Sequence, residues 1–177
     1  SIFRSNLKVI KIFRDDNLFD HLETTEEETK NLDTFLNQNN FNQIDLLSLF
    51  TQGSELNILQ GNLKKIKDVS IIRCHGDWVS RYENQPLIGD LIAYLNNAGF
   101  QLLDISHCSN YLEKKITSEI YFLNNEKISS GDELKRKEKI IEISWLLAGL
   151  GKYTDAMFLL KINNIDIKIY EEILKHV

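Results

Sequence analysis

The sequence lacks the features that mark membrane, secreted and disulfide-stabilised proteins. No apolar run approaches the roughly 18 to 20 residues of a membrane-spanning helix, and no basic, apolar leader of the secretory type is present. The two cysteines, Cys74 and Cys108, are far apart and have no CxxC spacing, so we expect neither a disulfide framework nor a thiolate zinc site. The net charge of −5 disfavours nucleic acid and anionic membranes as partners. We therefore expect a cytoplasmic protein.

Proline is nearly absent as well, with Pro86 as the single example among 177 residues, while 42% of the residues are hydrophobic. That content is enough for one domain and the length is short for two, so we expect a single domain over residues 1–177. Its parts are a leading helix and edge-strand segment (1–43), a sheet layer (44–125) and a helical tail (132–177).

The sheet layer alternates between two hydrophobic periods, which predicts an α/β fold. Apolar runs predict buried strands at residues 44–50, 69–74, 100–105 and 116–123. Helical spacing predicts crossover helices at residues 54–67, with Ser54 as the N-cap, and between Pro86 and Gly99. Short connections between these elements favour parallel strands with right-handed crossovers.

The flanking segments are predicted to be mostly helical. Short helices are expected over residues 7–13 and 31–36, and a polar edge strand over residues 20–29. In the tail, the apolar spacing predicts helices at residues 132–149, 153–161 and 169–177.

Several strings resemble the FkbM family of S-adenosylmethionine-dependent methyltransferases. The family's ID-x-LKID strand, its EG or QG turn and the following helix are similar to IDLLSLFTQGSELNILQG at residues 44–61. Its LYEGQPLF…FL…GF.L.DL segment is similar to residues 81–105, RYENQPLIGDLIAYLNNAGFQLLDI. Shorter likenesses are TKNLDTFL (29–36), SEIYFLNN (118–125) and GLGKYTDAMFLL (149–160). The resemblance implies a seven-stranded Rossmann-like sheet, S-adenosylmethionine as cofactor, and methylation of hydroxyls on natural products or sugars.

The resemblance covers only the carboxyl-terminal half of such an enzyme: parallel strands with crossover helices, an antiparallel last strand and a helical extension. The glycine-rich turn and the acidic residue that hold the cofactor belong to the other half, and no GxG pair follows a predicted strand here, since Gly149 and Gly151 lie in the helical tail. The Lys and Asp of the family's KID strand are Ser48 and Phe50 in this chain. We therefore expect no cofactor-binding residue here and no methyl transfer by this chain alone.

The densest chemistry follows the second predicted strand. His75 and Asp77 occupy positions where the family often has a Glu-x-Glu pair, which suggests catalytic side chains that orient an acceptor hydroxyl or take its proton. A metal site with Cys74 would lack a second ligand cluster, so no metal is expected. The alternative is a structural loop in which Asp77 caps a turn and His75 is solvated.

Three further side chains are candidates for substrate binding: Trp78, Tyr82 and Glu55. The aromatic pair would stack on a substrate, although aromatic residues near a helix start are often packing residues. Glu55 is equally explained as an anion at the positive end of a helix. His107 and Cys108 are not taken as a pair, because adjacent side chains on a strand point to opposite faces.

The missing half has a consequence for partners. The strand from Ile44 to Phe50 would lose its neighbour and, if apolar on both faces, would expose a free edge. Three outcomes are expected: pairing with the missing amino-terminal half, a homodimer through this edge, or coverage by residues 1–41. The alternative to a transferase part is a non-enzymatic interaction module. No GxSxG elbow supports a hydrolase.

Overall fold

The computed structural model describes residues 1–13, 25–41, 43–111, 114–166, 168 and 171–172. They belong to two compact units, residues 1–122 and 123–177. The helices are α1 (Leu7–Ile10), followed by a 3-10 turn at Lys11–Phe13, α2 (Leu32–Gln38), α3 (Glu55–Gln60), α4 (Leu63–Ile66), α5 (Ile88–Asn97), α6 (Asn125–Ser129), α7 (Glu133–Gly149) and α8 (Tyr153–Ile162). The strands are β1 (Leu46–Leu49), β2 (Ile71–Asp77), β3 (Phe100–Tyr111) and β4 (Lys114–Asn124).

A four-stranded sheet in the order β1-β2-β4-β3 organises the first unit. β1 and β2 are parallel, with Leu46 opposite Ile71 and Ser48 opposite Arg73. The other neighbours are antiparallel, so β4 opposes both β2 and β3. The predicted α/β class and its four strands are therefore confirmed in outline. β3 runs in the direction of β2 but does not pair with it, because β4 lies between them.

β2 is longer than the sequence pattern indicated. The prediction ended the strand at Cys74, whereas β2 continues through His75, Gly76 and Asp77. The structural alternative of a loop at these residues is therefore wrong. The strand continues because Trp78 N donates to Ile116 O at 2.9 Å, which keeps the chain against β4 just beyond Asp77.

The predicted helix over residues 54–67 is divided into α3 and α4. At the break, the buried Asn62 side chain donates to Ile58 O at 2.6 Å, and its oxygen accepts from Asp33 N at 3.0 Å. A side chain that bonds the backbone in this way competes with helix continuation. Ser54 occupies the predicted N-cap position of α3, although its side chain makes no capping hydrogen bond.

Alternation along the strands separates an apolar face from a mixed one. The apolar face packs against α3, α4 and α5, and the sheet and these helices together form one core cluster: Leu47, Leu49, Leu59, Ile66, Val69, Ile72, Cys74, Ile88, Leu91, Leu95, Phe100, Ile120 and Phe122. The condition for an exposed apolar edge, a strand apolar on both faces, is not met by β1, because Ser48 is exposed and Phe50, the next residue on that side, is 46% exposed. Only one face of β1 is buried.

The amino-terminal segment begins with residues that attach to the loop after β2. Ser5 forms an antiparallel bridge with Tyr82, and Asn6 N donates to Arg81 O at 2.8 Å. α1 and α2 agree with the predicted helices, and Asn31 caps α2 by accepting from Thr34 N. The predicted edge strand is wrong for residues 25–29, which are not in a strand; residues 20–24 lie outside the described residues.

The second unit begins with the last two residues of β4 and continues as helices. α7 and α8 match the predicted tail helices and pack on each other, and Asp132 caps α7 through Lys135 N. α6 was not anticipated. Most of the last predicted helix, residues 169–177, lies outside the described residues. None of the described helices combines the length and hydrophobicity that a bilayer-spanning segment requires.

Gly76 provides a test of how tightly α5 and β4 close over β2. A Cβ atom at this position would lie 2.6 Å from Ile120 Cδ1 and 3.2 Å from Ile88 Cγ1. We expect Gly76→Ala to lower the free energy of unfolding by about 1–3 kcal/mol through overpacking. Urea denaturation followed by circular dichroism measures it.

The matched control is Gly89→Ala in α5, where an added Cβ meets nothing within 4 Å. This variant should be neutral or stabilising by up to about 1 kcal/mol, because alanine is the better helix former. Equal effects of the two substitutions would contradict the described packing.

Candidate functional site

The carboxyl ends of β1 and β2 open into a cavity of about 290 Å³. Its lining residues are Phe50, Gln52, His75, Arg81 and Thr117. Both parallel strands point their carboxyl ends at this place, which is where α/β sheets usually position ligands. A larger surface depression of about 520 Å³ is lined by residues 5–8 and 83–84 and includes no residue from a strand end.

Asp77 is the most deeply buried charged group beside the cavity. Its side chain is 1% exposed, and its Oδ1 accepts from Arg81 Nε at 2.7 Å and lies 2.7 Å from Arg81 Nη2. Its Oδ2 accepts from Gln85 Nε2 at 2.7 Å, and Gln85 Oε1 in turn accepts from Tyr82 N at 2.6 Å. Both carboxylate oxygens of this predicted catalytic residue are therefore engaged within the chain.

His75 lies on the same face of β2 as Asp77, two residues earlier. Its Nε2 is 3.4 Å from Arg81 Nη2 and 3.8 Å from Asp77 Oδ1, and the side chain is 16% exposed. Since an arginine can only donate, the contact with Arg81 is a hydrogen bond only where His75 Nε2 carries no proton. The two predicted catalytic residues are thus brought together, with Arg81 between them as a partner that the sequence analysis did not identify.

Glu55 holds the turn between β1 and α3. Its Oε1 accepts from Thr51 N at 2.6 Å and its Oε2 from Gly53 N at 2.8 Å, and the residue is 3% exposed. The turn needs this support because Gln52 has a φ of 54° and Gly53 a φ of 106°. Glu55 is therefore directed at the backbone of its own turn and is not among the cavity-lining residues.

Tyr82 and Trp78, the predicted aromatic substrate contacts, occupy different environments. Tyr82 is buried and donates its hydroxyl to Gln52 Oε1 at 3.0 Å, and burial raises the pKa of this phenol. Trp78 is 36% exposed, donates to Ser118 Oγ at 2.8 Å, and has Lys115 Nζ 5.4 Å from its ring centroid. Neither ring lines the cavity; Tyr82 is linked to it through Gln52.

A second charged cluster on the same sheet face was missed by the sequence analysis. Arg73 makes a two-nitrogen hydrogen bond to Glu119 Oε2, at 2.9 and 2.7 Å, and its guanidinium lies 4.8 Å from the ring centroid of Phe50. Tyr121 donates to the same Glu119 oxygen at 2.7 Å. Burial and the Glu119 carboxylate raise the pKa of Tyr121 to about 12.

Cys74 is separated from this chemistry by the pleat of β2. It is buried in the apolar face, opposite to His75, and burial raises the pKa of its thiol to about 12. No group of three or more potential metal ligands occurs within the described part of the chain.

The arrangement can bind a polar ligand and receive a proton, but it does not fit S-adenosylmethionine by itself. Such cofactors are held by a carboxylate on the ribose and by a glycine-rich turn. The two acids at this edge, Glu55 and Asp77, are engaged by backbone and side-chain donors. No GxG pair follows a strand, because the one in the sequence, Gly149 and Gly151, lies at the end of α7 and in the turn before α8.

Comparison with known proteins gives one finding. The family model of the methyltransferase FkbM domain matches residues 9–102, which is more than half of the chain. The match spans the described elements from the end of α1 to the start of β3. No curated protein and no solved structure shows a significant match. The likenesses noted at residues 118–125 and 149–160 lie outside the matched span.

The Asp77–Arg81 pair generates a stability prediction. Asp77→Asn keeps the shape of the side chain but leaves the Arg81 guanidinium without its buried counter-charge, so the free energy of unfolding should fall by about 3 kcal/mol. Urea denaturation is the measurement. Glu133→Gln is the control, because it removes a carboxylate from an exposed pair with Lys137 on α7 and should leave stability unchanged. A similar stability for both variants would contradict a structural role for Asp77.

Cys74 generates a reactivity prediction. In a Cys108→Ser background at mildly alkaline pH, the native thiol should react with a disulfide reagent about a thousandfold more slowly than in denaturant, because the thiolate is the reactive form. Release of thionitrobenzoate reports the rate. Labelling of the folded protein at the denatured rate would show that this thiol is accessible and would reopen a ligand role for it.

Proposed function

Because the chain belongs to the FkbM methyltransferase family, we propose that it forms the acceptor-binding part of an S-adenosylmethionine-dependent methyltransferase. The family implies a methyltransferase-type function. The transfer we propose is to a hydroxyl of a small molecule or sugar, in the cytoplasm. The observation that carries the proposal is the cavity at the carboxyl ends of β1 and β2, with His75 in its wall.

We propose that a separate half supplies the S-adenosylmethionine site, which the residues lining this cavity do not form. When bound, S-adenosylmethionine supplies an electrophilic methyl group; the residues here do not provide its ribose carboxylate or glycine turn. β1 is the terminal strand in the order β1-β2-β4-β3, and its outer edge is where an incoming strand would add. The sheet order, with an antiparallel β4, agrees with the closing part of a Rossmann-like methyltransferase sheet.

In this proposal, His75 is the group that receives the proton of the acceptor hydroxyl. An imidazole suits that task where its Nε2 carries no proton, and Nε2 would then exchange its 3.4 Å contact with Arg81 Nη2 for the acceptor hydroxyl. Asp77 does not touch the acceptor. It acts through Arg81, whose guanidinium it fixes 3.4 Å from His75 Nε2, and is therefore a positioning residue.

The test provides the cofactor half in trans. The chain is co-expressed with the amino-terminal half of an active FkbM methyltransferase, and S-adenosylhomocysteine release is measured over a panel of sugars and hydroxylated natural products. We expect a complex by gel filtration, transfer only by the complex, and a loss of about 10²- to 10⁴-fold in kcat for His75→Ala. The chain alone should bind no S-adenosylmethionine in a calorimetric titration at micromolar concentration.

Two results would contradict this proposal. Micromolar binding of S-adenosylmethionine to the chain alone would place a cofactor site within it. A stable complex that transfers methyl to none of the acceptors would favour the second candidate, a non-enzymatic interaction module. That candidate is supported by Phe50, which replaces the family's strand-end carboxylate. A homodimer through the edge from Ile44 to Phe50, seen by light scattering without the added half, would also favour it.

A further inference from the structure

We propose that the cavity beside β1 and β2 binds an anionic group, a carboxylate or a phosphate, carried by the hydroxylated acceptor. The proposal rests on the function proposed above and specifies the substrate class for that site. It assigns a binding role to Gln52, a residue that the sequence analysis noted only as part of a turn.

The walls of the cavity are rich in donors. Gln52, His75, Arg81 and Thr117 each carry an N–H or O–H group, and Arg81 is positively charged at all physiological pH values. None of the five lining residues is a carboxylate. Such a surface complements the oxygen acceptors of an anion, and without a lining carboxylate it disfavours a cationic ligand or a divalent metal.

Phe50 removes the charge that would oppose this ligand. In the resembling family an aspartate stands at this strand end, and it would repel an anion entering the cavity. Here the position is an exposed ring, with the Arg73 guanidinium 4.8 Å from its centroid. An uncharged ring therefore stands at this strand end, and Phe50 contributes no negative charge to the wall.

The remaining acids near the cavity are already compensated by donors. The Asp77 oxygens are bonded to Arg81 and Gln85, and Glu119 is bonded to Arg73 and Tyr121. Each carboxylate is thus matched by one guanidinium within hydrogen-bonding distance. His75 adds no negative charge, and both of these carboxylates have donor partners within the chain, so neither competes unpaired with a ligand at this wall.

Gln52 is held in a defined orientation. Its backbone has a φ of 54°, an uncommon conformation for a residue other than glycine, and residues held this way are concentrated at binding sites. Its carbonyl accepts from Ser1 Oγ at 2.8 Å, and its side-chain Oε1 accepts from Tyr82 Oη at 3.0 Å. Because Tyr82 takes the amide oxygen, the amide nitrogen is the donor that the proposal assigns to the ligand.

The experiment compares ligands that differ only in charge. Glucuronate, glucose 6-phosphate and glucose are titrated into the full chain without cofactor, and binding is followed by calorimetry and by amide chemical shifts. Gln52→Glu keeps an acceptor for Tyr82 but replaces the amide donor by a carboxylate. Gln60→Glu on α3 adds the same charge at an exposed position outside the cavity wall and is the matched control. Circular dichroism verifies that both variants fold.

The expected result is binding of at least one of the two anions, little or no binding of glucose, and an affinity about tenfold weaker in Gln52→Glu but unchanged in Gln60→Glu. Equal affinity for glucose and both anions, or binding of none of the three, would overturn the proposal. So would binding of S-adenosylhomocysteine that competes with the anion and weakens in Gln52→Glu, because the anion site would then belong to the cofactor. Because this experiment measures binding and not methyl transfer, its result can be interpreted even if the methyl-transfer assay fails.

Discussion

The buried carboxylate of Asp77 is the constraint on which the geometry of the cavity depends. A carboxylate that is 1% exposed must be matched inside the protein, and Arg81 and Gln85 provide this match from the loop that follows β2. The loop is thereby fixed over the strand end. Gln85 Oε1 also accepts a hydrogen bond from the backbone N–H of Tyr82. The Tyr82 hydroxyl in turn donates to Gln52 Oε1 in the turn after β1. These hydrogen bonds join the loop after β2 and the turn after β1 into one wall of the cavity.

The pleat of β2 places chemistry and packing on opposite sides of one strand. His75 and Asp77 share the polar face, while Cys74 and Gly76 belong to the apolar one. Only glycine fits at position 76, because Ile120 and Ile88 occupy the space that a Cβ atom would need. Ile120 and Ile88 therefore pack closely on the apolar face of β2, while its three charged or polar side chains lie on the opposite face.

The sequence predicts features that depend on local pattern and misses those that depend on distant partners. Apolar runs and turn residues located all four strands and the helices α5, α7 and α8. The end of β2 was placed too early, because His75 and Asp77 are polar and only their pairing beside β4 makes them strand residues. The break between α3 and α4 depends on hydrogen bonds of the Asn62 side chain to Ile58 O and to Asp33 N, and Asp33 is distant in the sequence. Arg73 and Glu119 are 46 residues apart, so no spacing rule could join them.

The departures from the family pattern in β1 become intelligible when they are considered together with β2. Ser48 stands where the family has a lysine, and in the parallel register its partner is Arg73. A cation is therefore still present on this face, one strand further into the sheet, and Glu119 provides its counter-charge from β4. Because Arg73 on β2 pairs with Glu119 on β4, the uncharged Phe50 at the end of β1 leaves the Arg73 guanidinium matched. The charges on this face are therefore balanced between β2 and β4, and the cavity beside it is lined without a carboxylate.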